Sequence, residues 1–326
     1  MSNIKIIRKL GEGGNCTAFQ GMDLDTDSFV TIKKIKSGAE KMSGERLESM
    51  DNEALILSEL DHTGIPRLIQ KNKDMIVLEH IQGMSLEKYM SLYGLFKEKK
   101  VAMIALELAE ILRYLHGRRR PVIYRDLKPS NIILKPDGHI ALIDFGAARF
   151  YDFKNRCDTK NIGTLGFAAP EQFGNLGQTD PRTDIYCFGM TLLKLLTGVD
   201  PRDGEEIAEL KQYGVKGVSD ELMKIIDKCT RPDREDRFRS VQELQEQLKR
   251  YPGKLLRKRI LGNFRIVAAA AAISLAITAS FYYADTVKAI ASEDVSKRLP
   301  FVKERLGIAH MRIENFLEEN LGVEIK

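Results

Sequence analysis

Two polar segments, each flanked by apolar residues, constrain the fold of this 326-residue chain more than any other feature. They are VIYRDLKPSNIIL, residues 122–134, and LIDFGAAR, residues 142–149. The first holds an aspartate, a lysine two positions later and an asparagine three further on. The second holds an aspartate directly before Phe-Gly. Such residues are rarely found together in this order by accident, so the pattern indicates a built polar site rather than a solvated loop.

Further short patterns lie before and after these segments. GEGGNCTAF begins at Gly11 and starts a G-x-G-x-x-G spacing in which Cys16 replaces the third glycine. By spacing alone it is either a loop that closes its backbone amides around phosphate or a flexible turn. Lys33 falls in VTIKKI and Glu53 in NEALILSELDH, and each alone is typical of a solvated side chain. GTLGFAAPEQF, TDIYCFG and RPDREDRF follow later in the chain.

Hydrophobic periodicity divides the first 250 residues into two parts. Alternating segments predict strands at NIKIIRKL, CTAFQGMD, SFVTIKKIK and MIVLEH, interrupted by a helix at SGERLESMDNEALILSEL. Apolar spacing of about 3.6 residues predicts helices at KKVAMIALELAEILRYLH, TDIYCFGMTLLKLLTG, SDELMKIIDKC and SVQELQEQLKR. The sequence therefore predicts an α+β fold, a small strand-rich lobe followed by a larger helical lobe, with the chain crossing near residues 79–83.

The complete set of motifs resembles the eukaryotic-type protein kinases. YRDLKPSN, DFG and APE stand in that family's order and near its usual spacing, and the resemblance covers roughly residues 1–250. It implies a bilobal protein kinase domain over 1–250, with an N-lobe at 1–80 and a C-lobe at 84–250. It also implies ATP as phosphoryl donor and proteins as acceptors.

The resemblance assigns roles in phosphoryl transfer, which depends mainly on positioning and charge neutralisation. Lys33 would hold the α- and β-phosphates of ATP and would be fixed by an ion pair with Glu53. Asp126 would accept or orient the proton of the substrate hydroxyl. Lys128 would reach the transferred phosphate as a point charge.

The same resemblance implies a metal site and two structural pairs. Asn131 and Asp144 would supply oxygen ligands for Mg²⁺, with Mn²⁺ as an alternative ion. Glu171 would pair with Arg237 and hold the helical lobe together, while Asp184 would brace the loop that contains the catalytic aspartate.

An adenine pocket is also implied by the resemblance. Backbone groups near Glu79 and Ile81 should meet the adenine edge, and Leu78 would be both gatekeeper and core residue. The residues expected to line the pocket or to cover the phosphates are Leu10, Gly11, Gly13, Ala18, Thr31, Leu78 and Ile133.

Lys128 in DLKPSN and Thr164 in GTLGF resemble the serine/threonine kinases. Arg125, beside the catalytic aspartate, marks kinases whose activation loop is often held by a phosphate. Thr159 is the predicted autophosphorylation site, with Tyr151 and Thr164 as other candidates.

The nineteen residues 266–284 carry no formal charge and would span about 28 Å as a helix. A basic segment, 251–265, precedes them and two tyrosines stand near their far end, which favours a transmembrane helix over a buried alanine-rich one. Lys and Arg are retained in the cytoplasm, so the kinase domain should be cytoplasmic and residues 285–326 extracytoplasmic.

The last segment, 285–326, shows approximate helical spacing from Pro300 onward. It is either an interfacial helix or one that pairs with a partner or with its own copy. The arrangement as a whole resembles bacterial single-span Ser/Thr receptor kinases. For the last segment, formation of a homodimer or contact with another membrane protein is expected as much as ligand sensing.

Charge and cysteine content limit the function classes. The net charge of +5 is small for this length and gives no sign of nucleic-acid binding. Four widely separated cysteines with no C-x-x-C pair argue against a disulfide framework or a zinc site and favour a reducing compartment. Two alternatives stay open from the motifs: an inactive pseudokinase scaffold for membrane signalling, and a small-molecule kinase, although the latter generally lacks APE.

Overall fold

The computed structural model describes residues 3–14, 16–36, 40–152, 163–173 and 178–250. The chain divides into two units, 1–256 and 257–326, and every described residue belongs to the first. The predicted transmembrane helix, the C-terminal segment and Thr159 lie outside the described residues. Among the residues that are described, no helix is both long and apolar enough to cross a bilayer.

The N-terminal lobe is an antiparallel sheet in the order β1-β2-β3-β5-β4, with helix α1 packed beside it. Its elements are β1 (Ile4–Glu12), β2 (Cys16–Asp23), β3 (Ser28–Ile35), α1 (Glu40–Ser58), β4 (Leu68–Lys71) and β5 (Met75–Glu79). The alternating pattern explains the two faces of the sheet. Ile76 and Leu78 are buried toward α1 and the main core, whereas Val30, Ile32 and Val77 form a separate small cluster.

The C-terminal lobe is helical and its core is continuous with that of the α1 side of the sheet. Its helices are α2 (Leu86–Tyr93), α3 (Glu98–His116), α4 (Pro181–Thr197), α5 (Gly204–Tyr213), α6 (Asp220–Cys229) and α7 (Val241–Arg250). Helix α4 is the most deeply buried: it begins after the N-cap Asp180, whose carboxylate accepts from the Arg182 N–H, with Pro181 in the first helical position.

Short strands position the two polar segments between the lobes. They are β6 (Met84–Ser85), β7 (Val122–Ile123), β8 (Ile132–Leu134), β9 (Ile140–Leu142) and β10 (Arg149–Phe150), paired as β6-β8-β9 and β10-β7. The loop from 124 to 131 therefore lies between β7 and β8, and Asp144 follows β9 by two residues. Gly83 fits the crossing because its φ is +147° and a Cβ there would lie 2.4 Å from the Leu134 carbonyl oxygen.

The observed architecture confirms the bilobal α+β prediction, and the differences are local. β2 has the predicted bounds, whereas α1 begins at Glu40, three residues before the expected start, and α4 begins at Pro181 rather than Thr183. Strand β4 and helices α2 and α5 were not predicted. Two of these are short, and α5 buries only Ile207, so none gives a strong periodic signal.

Candidate active site

A charged cluster joins strand β3, helix α1 and the loop after β9. Lys33 Nζ lies 2.5 Å from Glu53 Oε1 and 2.7 Å from Asp144 Oδ1. The backbone N–H of Phe145 donates to the same Glu53 carboxylate at 3.2 Å. The Lys33–Glu53 ion pair expected from the motifs is thus confirmed, and it fixes α1 against the Asp-Phe-Gly segment.

The charges in this cluster support one another. Burial alone would lower the pKa of Lys33, but the Glu53 and Asp144 carboxylates outweigh it and raise that pKa above its ordinary 10.5. The ammonium of Lys33 in turn lowers the pKa of Asp144 below 3.8, against the opposing effect of burial. Lys33 is therefore cationic and Asp144 anionic at neutral pH, and the Asp144 side chain is about half exposed toward solvent.

A second cluster surrounds Asp126 in the loop between β7 and β8. The Thr164 hydroxyl donates to Asp126 Oδ1 at 2.6 Å, and Lys128 Nζ lies 2.9 Å from Asp126 Oδ2. Lys128 Nζ also donates to the Thr164 hydroxyl oxygen at 2.6 Å. One carboxylate, one ammonium and one hydroxyl therefore form a closed triangle, and the predicted contact of Thr164 with Asp126 is confirmed.

Asn131 links the Asp126 cluster to the backbone that directly precedes Asp144. Its Nδ2 donates to the Asp126 carbonyl oxygen and to Asp126 Oδ2, both at 2.9 Å, and its backbone carbonyl accepts from Ile143 N–H at 2.9 Å. Because both side-chain contacts are acceptors, the amide nitrogen must face them and Oδ1 faces away. An amide oxygen and the Asp144 carboxylate are the donor types that Mg²⁺ prefers.

The donor set also agrees with the wider composition of the site. Within the described ranges, no group of three or more His, Cys, Asp or Glu side chains has a metal-binding arrangement. Mg²⁺ usually takes only one or two protein carboxylates and completes its shell with phosphate and water. Two protein ligands, Asn131 and Asp144, therefore suit this ion, which does not need a closed cage of protein ligands.

Backbone strain marks both polar segments. Arg125 has φ of +67° and Asp144 has φ of +65°, a region that side chains other than glycine seldom adopt. Surrounding hydrogen bonds hold the first of these. Asp184, fully buried, accepts from the Tyr124 and Arg125 N–H groups at 2.9 and 2.7 Å and lies 2.7 Å from His116 Nε2. The expectation that Asp184 braces this loop is confirmed.

Three further residues stabilise the loop and were not predicted. The Tyr124 hydroxyl donates to the Ile143 carbonyl and its ring lies edge-on to Phe145, 5.1 Å between centroids. Gln172 Nε2 donates to the Arg125 carbonyl at 2.8 Å. The Thr191 hydroxyl, on α4, lies within hydrogen-bond distance of the Cys187 and Leu127 carbonyl oxygens, at 2.8 and 3.1 Å. Tyr124 belongs to the loop itself, but nothing in the sequence spacing predicts its contact with Ile143 or links Gln172 and Thr191 to the loop, because each contact depends on tertiary packing.

The glycine-rich segment begins at the end of β1 and continues into the turn before β2. Gly11 pairs with Ala18, and Gly13 N–H donates to the Cys16 carbonyl at 2.9 Å. A Cβ on Gly11 or Gly14 would meet nothing within 4 Å, and neither residue has a positive φ. Internal packing and backbone conformation therefore do not account for these glycines, and contact of this segment with phosphate stays a prediction.

The expected pocket residues occupy neighbouring positions on the sheet and at the crossing. Thr31 pairs with Leu78, and Ala18 pairs with Lys33. Leu78 is buried and is part of the core, as predicted, while Ile133 is half-buried on β8. Leu10 falls at a register shift of β1 and is 40% exposed.

The crossing segment adds one detail. The Glu79 N–H donates to the Arg67 carbonyl at 2.9 Å, so this residue can offer a base only its carbonyl. Ile81 follows two residues later in the same segment, and backbone contact with an adenine edge there stays a prediction.

The described part of the activation segment includes Tyr151 and Thr164 but not Thr159. Arg125 Nε donates to the Ala147 carbonyl at 2.7 Å, next to the Asp-Phe-Gly turn. The Tyr151 N–H donates to the Pro121 carbonyl at 2.7 Å. Modification of any of the three candidate residues stays a prediction.

Comparison with known proteins agrees with this geometry. The protein kinase domain family matches residues 4–249. Serine/threonine-protein kinase F of Synechocystis is 30% identical over 268 residues, 73% of this chain and 53% of that protein. Serine/threonine-protein kinase PrkC of Bacillus subtilis is 26% identical over 75% of this chain and 40% of that protein. Wall-associated receptor kinase 1 of Arabidopsis thaliana is 33% identical over 59% of this chain.

The chain spans between about a quarter and about a half of the length of these relatives. The match to the family covers nearly all described residues and includes both polar segments. The chain belongs to the protein kinase family, among the eukaryotic-type Ser/Thr kinases.

Proposed function

We propose that this protein is an active Ser/Thr kinase that transfers the γ-phosphate of ATP to protein hydroxyls. The observation that carries the proposal is the presence of two clusters, Lys33–Glu53–Asp144 and Asp126–Lys128–Thr164. Asn131 binds Asp126 of the second cluster and accepts from the Ile143 N–H, next to Asp144 of the first. A pseudokinase usually lacks one of these groups, whereas here each is present and in contact with its neighbours.

The roles follow from charge and position. Lys33, kept cationic by its two carboxylates, would bind the α- and β-phosphates of ATP. Asp126 would accept the proton as the substrate hydroxyl oxygen bonds to the γ-phosphorus and the bond to the β-phosphate oxygen breaks. Lys128 would stabilise the charge on the transferred phosphoryl group. The ADP leaving group takes the bonding electron pair.

Asn131 and Asp144 would hold Mg²⁺. The ion neutralises phosphate charge when it is bound. The Asn131 amide is held by Asp126, so its oxygen is oriented in advance, and the Lys33 contact keeps Asp144 ionised.

Transfer of labelled phosphate from ATP to a generic basic protein tests the proposal, with phosphoamino acid analysis of the product. The wild-type chain should label Ser and Thr, and Asp126→Asn should lose about a hundredfold or more of the rate. Asp137→Asn is a matched control, because Asp137 is exposed in the turn before β9. Equal rates for wild type and Asp126→Asn would favour the scaffold alternative.

We also propose that residues 266–284 anchor the kinase in the membrane, with residues 285–326 on the far side. The basic cluster and uncharged length support this orientation. The full chain should sediment with membranes and resist extraction by alkaline carbonate, and a chain ending at residue 250 should not. Recovery of the full chain in the soluble fraction would contradict the anchor.

Autophosphorylation at Thr159 is the third part of the proposal. Two observations support it. Thr159 lies between DFG and APE, and the positive charge of Arg125 suits that residue to bind the phosphate of a modified threonine. Mass spectrometry after incubation with ATP should find phosphate on Thr159 in the wild type and none in Asp126→Asn. An unmodified Thr159 in active protein would contradict it.

A further inference from the structure

A four-residue hydrogen-bond network joins the first three strands to the segment that crosses between the lobes. Arg8 Nε donates to Gln20 Oε1 at 2.7 Å. Gln20 Nε2 lies 3.1 Å from His80 Nε2, and His80 Nδ1 lies 2.9 Å from Thr31 Oγ1. Because His80 directly follows β5, the network reaches the expected adenine-binding segment from the sheet side.

The sheet register places this hydrogen-bond network on the face of the sheet that carries Lys33. Thr31 is two residues before Lys33 on β3, and strand alternation puts both side chains on one face. The cross-strand partners of Thr31 are Gln20 and Leu78. The hydrogen bond from His80 therefore ends on the same face from which Lys33 reaches Asp144.

The direction of each hydrogen bond follows from the chemistry of Arg8. A guanidinium only donates, so Gln20 must turn its oxygen toward Arg8 and its amide nitrogen toward His80. His80 Nε2 must then accept, which places the ring proton on Nδ1, where it donates to the Thr31 hydroxyl. The network thus selects one neutral tautomer of His80.

Protonation of His80 would break this hydrogen-bond network. A second ring proton would set an N–H of His80 against the amide N–H of Gln20, and the amide cannot turn over without losing Arg8. Burial lowers the pKa of His80 below 6.5, and the charge of Arg8 lowers it further. The nearest carboxylate along its own segment, Glu79, accepts from Arg67 Nε at 3.3 Å instead.

The remaining neighbour of His80 is aromatic. Phe29 on β3 meets the His80 ring edge-on with centroids 6.3 Å apart. The groups that face the imidazole are thus one cation from β1, one amide from β2, and one hydroxyl and one ring from β3.

We propose that His80 is a positioning residue for the nucleotide, holding the 79–81 backbone at a fixed distance from β3. The inference rests on the proposed kinase function, because His80 would act on the same nucleotide site. The Arg67 carbonyl holds the segment from the β4 side through the Glu79 N–H, and His80 holds it from the β3 side. His80 acts on the base through the backbone and not by touching it.

The test compares full-length wild type with His80→Phe, which keeps an aromatic ring against Phe29 and removes both hydrogen bonds. Steady-state transfer is measured as a function of ATP with Mg²⁺ from about pH 8 to about pH 5.5. His80→Phe should raise the KM for ATP by about threefold to tenfold at neutral pH, with kcat within about twofold. Wild-type KM should rise toward the variant's value as pH falls through the lowered pKa.

Two further variants separate the effect of the hydrogen-bond network from general effects of removing a surface charge. Arg8→Met frees the Gln20 amide to turn over, so the acid rise in KM should weaken. Lys5→Met removes an exposed cation from the same strand and should leave KM and its pH profile unchanged. Titration of the nucleotide phosphates is common to all proteins, so KM ratios at each pH isolate His80.

The outcomes distinguish the two proposals. A His80→Phe protein that matches wild type in KM and pH profile, or that loses kcat with KM unchanged, overturns the positioning role while leaving kinase activity established. A folded wild type that neither binds nor uses ATP, by calorimetry and by transfer, overturns both. Melting temperatures of all variants show that they are folded at each pH.

Discussion

Arg237 and Glu171 form a bidentate ion pair inside the helical lobe, with Nη1–Oε1 at 2.7 Å and Nη2–Oε2 at 2.9 Å. The remaining guanidinium hydrogens donate to the carbonyls of Arg231, Arg182 and Pro232. The Arg237 side chain is fully buried. Every donor of this buried cation therefore has an acceptor, which is the condition under which such a charge is tolerated.

Removing this cation should destabilise the kinase domain. Arg237→Met leaves the Glu171 carboxylate buried without its partner, and we expect a loss of about 3–5 kcal/mol in the free energy of unfolding. Urea denaturation measures it. The control is Arg231→Met, which breaks an exposed pair with Asp227 and should cost about 0.5 kcal/mol or less. Similar midpoints for the two variants would contradict the structural role of the buried pair.

The Thr164 hydroxyl should matter for turnover. It bridges Asp126 and Lys128, 2.6 Å from each, so Thr164→Val releases both groups from their relative position. We expect kcat to fall by about tenfold to a hundredfold with little change in stability. Thr164→Ser retains the hydroxyl and should keep most of the activity. Unchanged kcat in Thr164→Val would show that the triangle is not needed.

Glycines in the first hairpin should separate into two kinds. Gly11→Ala adds a methyl group that meets nothing in the protein, so unfolding should be nearly unchanged while KM for ATP rises. Gly21→Ala would place its Cβ 2.8 Å from Ile32 and should cost about 1–3 kcal/mol in stability. Thermal melting and ATP titration of both variants check the contrast. A Gly11→Ala protein with unaltered KM would argue against phosphate contact at this turn.

Cys16 should react slowly with alkylating agents at neutral pH. Burial raises the pKa of its thiol above the ordinary 9.0, and the nearby Glu53 carboxylate adds to the effect. The thiolate is the reactive form, so its labelling by iodoacetamide should increase only as pH rises beyond the range at which a free cysteine peptide already reacts. Mass spectrometry of the Cys16 peptide gives the rate. Faster labelling than the free peptide at pH 7 would mean that the thiol is activated.

Sequence motifs identify candidate site residues, but they do not predict all of the residues that hold those candidates in place. Lys33, Asp126 and Asp144 stand in ordered motifs, and β2 and β3 alternate clearly enough to locate the lysine. The structure adds His116 against Asp184, a contact between residues far apart in the chain. Such contacts depend on how α3 and α4 pack, and single-sequence periodicity carries no information about that packing.

The sequence does not predict the backbone hydrogen bonds of the crossing segment either. The use of the Glu79 N–H by Arg67 depends on the pairing of β4 with β5, and β4 has only four residues and a register shift. Short strands of this kind have little pattern to detect. The same limit applies to His80, whose hydrogen-bond partners come from two different strands, β2 and β3.

Lys33 is proposed to act in a phosphoryl-transfer site, and the adjacent lysine, Lys34, provides its control. Lys34 alternates to the opposite side, is exposed and lies 3.8 Å from Asp74. Transfer of labelled phosphate to a basic protein should fall by about a hundredfold or more in Lys33→Met and stay within about twofold of wild type in Lys34→Met. Equal transfer by wild type and Lys33→Met would contradict the account.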